Sequence, residues 1–339
     1  MKRKLHMKNS YYLLGLVLGL ALSTTALASE SILFNNESLY PEGVSYDAQD
    51  KLFYVSSVAR GEVWRVSPNG NNELFIKNDK FASTIGLQVD RKRNRLLVCI
   101  ADPGVGKNTS KETQGKLAGL AIYDLTSKEQ LAYYDLLPSD TISSHFANDV
   151  TIDKNGTSYV TDSFSPNIYR VSLTGKATTF TSDPRWSVPR GKFGLNGIVY
   201  HPDGFLIVSH YDSGKLYKVS IQDKPEVKEI KLAQKKGWNI TGLDGLLLFD
   251  HSTLIAVNND PSGKENGNVV YRLLADEKWD NLVIDGMMPT KNTYPTTLTS
   301  KNEKIFVLHA KLLELFTGNK SPETNYIIEK VSFSDLKQK

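Results

Sequence analysis

Short apolar runs alternate with polar turns along most of this chain, and the alternation repeats. Three stretches align almost without gaps: GVSYDAQDKLFYVSSVARGEVWRVSPNG from Gly43, DVTIDKNGTSYVTDSFSPNIYRVSLTG from Asp149 and GIVYHPDGFLIVSHYDSGKLYKVSIQD from Gly197. Val, Ile, Tyr, Phe and Thr fill the runs, the residues that suit a pleated, half-buried strand. Asp153-Lys154-Asn155-Gly156 and His201-Pro202-Asp203-Gly204 are turn sequences between strands. Looser copies begin at Gly86, Gly245 and Thr297, the first of these interrupted by a Gly-, Lys-, Ser- and Thr-rich insertion, Gly104–Lys116. Six copies at intervals of roughly 40–60 residues predict an all-β fold, a six-bladed β-propeller of four-stranded antiparallel blades. Ser31–Leu39, with its apolar triplet Ile32-Leu33-Phe34, is expected to add an outer strand to the last blade. That N-terminal strand would close the ring and remove an exposed edge. No long run of helical periodicity occurs after the first 28 residues; a short helix is expected near Ala310–Leu315. The insertion reads as a mobile loop near one face and a candidate lid.

The amino terminus breaks the pattern. Lys2-Arg3-Lys4, an apolar run from Tyr11 to Leu22 and the small-x-small triplet Ala26-Leu27-Ala28 form a secretory signal peptide. The run is shorter than the roughly 20 residues a bilayer span requires. The expected organisation is therefore residues 1–28 as signal and 29–339 as one propeller domain, periplasmic or secreted, with no membrane association after cleavage. Four of the 41 basic residues lie in the signal, which leaves 37 against 37 acidic ones. A mature chain of zero net charge lacks the basic excess of a nucleic-acid binder. With 40% hydrophobic and 10% aromatic residues the chain can bury a full core. Its single cysteine, Cys99 in Leu96-Leu97-Val98-Cys99-Ile100, can form no internal disulfide and reads as a buried strand residue. The expected state is a monomer that takes a small-molecule substrate.

The chemistry lies at the repeat starts. In a propeller the innermost strands line a central channel, so equivalent strand entrances converge on one mouth. Glu42, Asn148, Asn196 and Asp244 occupy those entrances. Two carboxylates and two amides suit a hard divalent cation such as calcium or magnesium, which takes carboxylate and amide oxygens. Without a cation, Glu42 and Asp244 would repel and one of them would hold its proton. The following residue is small or flexible in three cases, which is read as room for a central ligand. Other candidates are weaker. His145 could reach the mouth; His210 and Asp162, at equivalent strand ends, read as structural. Asn258, in Asn258-Asn259-Asp260, is a minor candidate for the metal shell. No Gly-x-Ser-x-Gly elbow, P-loop or Gly-x-Gly-x-x-Gly occurs, so a serine hydrolase of the α/β type and nucleotide use are unsupported.

The motifs Pro41-Glu42-Gly43, Asn148-Asp149, Asn196-Gly197, Asp244-Gly245 and Tyr294-Pro295-Thr296, in this order and spacing, resemble those of the regucalcin/gluconolactonase-like family of six-bladed propellers. The resemblance implies one divalent cation, calcium foremost with zinc or magnesium as alternatives, held by Glu42, Asn196 and Asp244. It implies hydrolysis of lactone-like esters, with Asp244 as general base and Asn148 touching substrate or water. His145 and Phe146 would complete the substrate contacts. Two positions depart from the family pattern: Phe146 stands where sugar-lactone members often carry an arginine, and Ser56-Ser57 stands where an aspartate is common. An aromatic in place of a cation points to a less polar substrate than gluconolactone. The alternative is a non-catalytic propeller that binds a ligand or protein around a structural calcium ion.

Overall fold

The computed structural model describes residues 31–137, 144–233, 240–259, 267–290, 294–318 and 322–332. The signal segment lies outside the described residues. Among those residues the strands form four separate four-stranded sheets and one eight-stranded sheet. The eight-stranded sheet is two antiparallel units joined edge to edge, where Val227–Ala233 runs parallel to Asn281–Pro289. Six four-stranded blades result. Their innermost strands are Val44–Asp47, Ser83–Asp90, Ala147–Ile152, Leu195–His201, Leu243–Leu248 and Pro295–Lys301. Each contacts the next in order and the last contacts the first, so the sheets form a ring.

Ring closure is as the sequence predicts. Ile32–Asn35 pairs antiparallel with the strand Asn325–Val331, Ile32 opposite Ile328, and so becomes the outermost strand of the sixth blade. Ile32 and Phe34 point inward and are buried, while Leu33 is exposed. The predicted turns hold too: Gly156 and Gly204 adopt φ of 91° and 89°, left-handed values that favour glycine.

Stability comes from the wedges between blades. Six apolar clusters fill them, one for each neighbouring pair. Tyr54 and Phe75 of the first blade meet Leu96 and Val98 of the second; Phe53 meets Phe306 across the closing seam, ring centroids 5.4 Å apart. This is sheet-on-sheet packing repeated around an axis. Cys99 is fully buried in one wedge, and burial pushes its thiol well above the ordinary range.

Two expectations need correction. The insertion Gly104–Lys116 is pinned. Asp102, buried at its base, accepts hydrogen bonds from the Gly104 amide (2.8 Å), the Thr109 hydroxyl (2.8 Å) and the Thr113 hydroxyl (2.7 Å). The glycines after the channel-mouth residues also do a different job from the one expected. A Cβ on Gly43 would lie 2.5 Å from the Ile85 carbonyl oxygen, and one on Gly197 would lie 2.5 Å from that of Asp244. The space they leave is filled by the backbone of the neighbouring innermost strand. The short helix spans Leu312–Phe316, slightly later than expected.

Candidate metal centre

Each innermost strand from the second blade to the sixth changes register at the same point. The shifts fall between Thr84 and Leu87, Ala147 and Val150, Leu195 and Ile198, Leu243 and Leu246, and Pro295 and Leu298. A β-bulge re-aims side chains at a strand entrance. Asn148, Asn196 and Asp244 are each the first residue inside such a bulge. Glu42 stands just ahead of the first blade's innermost strand, and the amides of Glu42 and Gly43 donate to Ser56 Oγ at 3.2 and 2.7 Å. Ser56 is thus the anchor of the first entrance, which accounts for the serine at this departure from the family pattern.

The structure brings Glu42, Asn148, Asn196 and Asp244 into one cavity. All four are buried, at 8%, 4%, 5% and 6% exposure. Asn148 Nδ2 donates to Ser163 Oγ at 2.9 Å, and Ser163 spends its own proton on the Leu195 carbonyl at 2.6 Å. The hydroxyl can therefore only accept from Asn148, which fixes the amide flip. Asn148 Oδ1 is left buried without a donor, as is Glu42 Oε2. Buried acceptors of this kind are costly unless something positive meets them.

The charges press the same way. Burial, then Asp244 and Asp149, hold the Glu42 carboxyl well above its usual range. Burial pushes Asp244 up to about 8, against the stabilising hydrogen bonds of Asn259 and Asn196 and with the help of Asp149. Asp149 itself is pushed up to about 7 by burial. It lines a polar cavity of about 190 Å³ that continues into the channel beneath the site. Two buried carboxyls, two amide side chains and an orphaned pair of oxygens fit a hard divalent cation.

Phe146 lines the cavity with Phe193, Tyr211, Tyr294, Leu312 and Phe316. His145 does not. Its ring is buried with Nδ1 2.8 Å from Asp162 Oδ2, which also accepts from the Tyr169 hydroxyl at 2.8 Å. Asp162 Oδ1 accepts the amides of Phe146, Phe164 and Ser165. His145 and Asp162 therefore brace the loop that sets Phe146 into the wall. His210 is tied to the Trp186 carbonyl (3.3 Å) and the Ser213 hydroxyl (2.9 Å), a structural role. Asn258 turns away, donating to the Gly267 carbonyl at 2.9 Å.

Sequence reasoning missed Asn259 and Tyr211. Asn259 Nδ2 donates to Asp244 Oδ2 (2.5 Å) and to the Pro295 carbonyl (2.8 Å), and Asn259 Oδ1 accepts from the Tyr211 hydroxyl (2.5 Å). It also missed Asp149, although an acid where other blades carry glycine was a visible signal. A second cluster, His201, Asp203 and His251, sits at hairpin turns of the fourth and fifth blades. His201 already uses both ring nitrogens, with Nε2 2.9 Å from the His251 carbonyl and Nδ1 accepting from the Asp203 amide at 3.2 Å.

Blades, bulged channel entrances and an acid–amide mouth define a class of propeller built around a central polar site. The chain belongs to the SMP-30/gluconolactonase/LRE-like family, whose model matches residues 40–226, more than half of its length. Glu42, Asn148 and Asn196 fall inside the match and Asp244 beyond it; the structure places all four together. Solved structures with the same fold include the Malassezia sympodialis allergen Mala s 1, 16% identical, with a TM-score of 0.69 over 90% of this chain and 97% of that one. A gluconolactonase from Xanthomonas campestris is 13% identical, with a TM-score of 0.57 over 89% of each chain. A calcium-binding protein, regucalcin, from Agrobacterium tumefaciens is 16% identical, with a TM-score of 0.57 over 87% of this chain and 92% of that one. No curated protein matches by sequence.

Proposed function

We propose that this chain is an exported, metal-dependent hydrolase of lactone-like esters. The observation that carries the reading is the convergence of Glu42, Asn148, Asn196 and Asp244 on one cavity, with Glu42 Oε2 and Asn148 Oδ1 buried and lacking donors. Glu42, Asn196 and Asp244 would hold the ion, calcium foremost. A divalent cation bound there would polarise an ester carbonyl and stabilise the negative oxygen that forms.

The chain's own groups supply the rest. Asp244, which a bound cation would hold ionised, would accept the proton of the attacking water as general base. Asn259 holds its Oδ2, and Asn196 also bonds the carboxyl. The water oxygen bonds to the carbonyl carbon as its proton passes to Asp244. The ring C–O bond then breaks and the leaving oxygen takes that proton, so one water converts the lactone to a hydroxy acid. Asn148 brings a buried, donor-less Oδ1 to the cavity, where it can accept from a hydroxyl or water.

The test is hydrolysis of sugar lactones, aliphatic lactones and aryl esters by the mature protein, with calcium and then with excess chelator. Chelator-sensitive turnover that Asp244→Asn abolishes in a folded protein is expected. Full activity in that variant would overturn the mechanism. Tight calcium binding without turnover of any compound would favour the non-catalytic binding propeller. Export predicts a mature amino terminus at Ser29, read by terminal sequencing.

A further inference from the structure

Above its polar floor the cavity changes character. Val58 and Phe146 stand at its depth, and Phe193, Tyr211, Leu312 and Phe316 form its wall and rim. The rings support one another: Phe146 meets Phe193 edge-on at 5.6 Å and 90°, Phe164 backs both, and Phe193 meets Tyr211 at 6.1 Å. Among the described residues no lysine, arginine or histidine lines this space. All of its fixed charge is acidic and sits on the floor. The wall is therefore rigid, aromatic and without a group to neutralise an anion.

We infer that the ligand of this cavity is a neutral lactone with an alkyl or aryl substituent, its carbonyl on the polar floor and its apolar body against the Phe146–Phe193–Tyr211 wall. The inference rests on the metal-site reading for the floor but on the wall residues for the substituent. A polyhydroxylated sugar lactone would bury hydroxyls against carbon, and each one left unpaired weakens binding roughly tenfold. A carboxylate or phosphate carried on the substituent would lie against the aromatic wall with no cation there to pair it. A methylene added to an alkyl tail instead removes apolar surface from water and strengthens binding about fourfold, as long as the wall extends.

Lactams test this without turnover, because they keep the carbonyl and resist hydrolysis. Calorimetric affinities of δ-lactams with alkyl tails of increasing length, and of a gluconolactam, are measured on the mature protein with calcium and again with chelator. A rise of about fourfold per methylene over the first few carbons, with the gluconolactam far weaker, is the expected result. Phe193→Ala, at a partly exposed rim position, should flatten the rise. Gluconolactam binding as tightly as the alkyl series, or no dependence on tail length in either condition, would overturn the substrate class. Calcium titration of the same samples judges the floor separately. Absence of calcium binding would sink the metal-site reading, while the tail-length series would still score the wall.

Discussion

Calcium-free protein should become less stable as pH rises from about 4 to about 8. Asp244 titrates near 3.8 when the chain is unfolded and at about 8 in the folded cavity. Between those limits the folded state holds a proton that the unfolded state has released. The unfolded state then binds fewer protons, so the stability falls with pH: fully present below the unfolded value and lost as pH climbs to the folded one. At about 1.4 kcal/mol for each pH unit, Asp244 alone accounts for on the order of 6 kcal/mol across the whole window. Asp149, at about 7, and Glu42, also raised, act in the same direction. The three interact and titrate as a set, so their contributions do not add. At roughly 2–4 °C per kcal/mol for a chain of this order of size, the midpoint should drop on the order of 10 °C between pH 5 and pH 8. The assay is thermal unfolding in chelator across that range, repeated with saturating calcium, which should remove most of the slope by favouring the ionised carboxylates. Asp244→Asn should reduce the slope in chelator. A midpoint that stays level or rises with pH in calcium-free protein would refute the reasoning.

The remaining predictions concern how the site is held. Asn259→Ala should weaken calcium about 10–100-fold by calorimetry, because it frees Asp244 Oδ2 while removing no cation ligand. Ser163→Ala should cost about 1–3 kcal/mol in denaturant unfolding, since it strips a partner from both the Leu195 carbonyl and the Asn148 amide. Gly197→Ala should destabilise by about 1–3 kcal/mol or more, because its Cβ would stand 2.5 Å from the Asp244 carbonyl oxygen and 2.8 Å from the Leu246 amide, both backbone atoms. Unfolding of that variant close to wild type would mean the strands do not approach as described.

Most of the fold was legible because each blade repeats one supersecondary unit, and the units differ mainly in their loops. The four mouth residues were legible for the same reason. Glu42, Asn148, Asn196 and Asp244 hold equivalent places in the repeat, and a ring converts equivalence in sequence into proximity in space. Asn259 and Tyr211 were hidden because they follow second strands, at Thr253–Asn258 and Phe205–His210, and belong to different blades. Their hydrogen bond exists only once the ring has formed. His145 misled for the opposite reason. Three residues from Asn148, it was expected near the mouth, but the loop turns it onto Asp162 and gives the cavity its neighbour Phe146. The glycines were noticed for what they lack, but only the tertiary structure shows that a neighbouring strand fills the space.

The same close approach explains how an unfavourable group of charges can persist. Glycine at the second bulge position lets adjacent innermost strands come near enough for the first-position side chains to share one small space. Burial raises Glu42 and Asp244, and the charges of neighbouring acids add to it, so the group works against folding in the absence of a cation. Much of the opposing contribution lies away from the site, in the apolar wedges and in an N-terminal strand that buries Ile32 and Phe34 to close the ring, although one wedge shares Val58, Phe146 and Leu312 with the cavity. Stability and site are thus separable in the architecture but coupled through the ion. A weaker closing wedge should lower stability equally with and without calcium, without altering any side chain at the mouth. In a Phe34→Ala variant, where losing a buried ring costs about 3–5 kcal/mol, the gap between calcium-loaded and calcium-free unfolding free energies should stay at its wild-type value while both fall together. A changed gap would show that the closing strand and the metal centre are not independent.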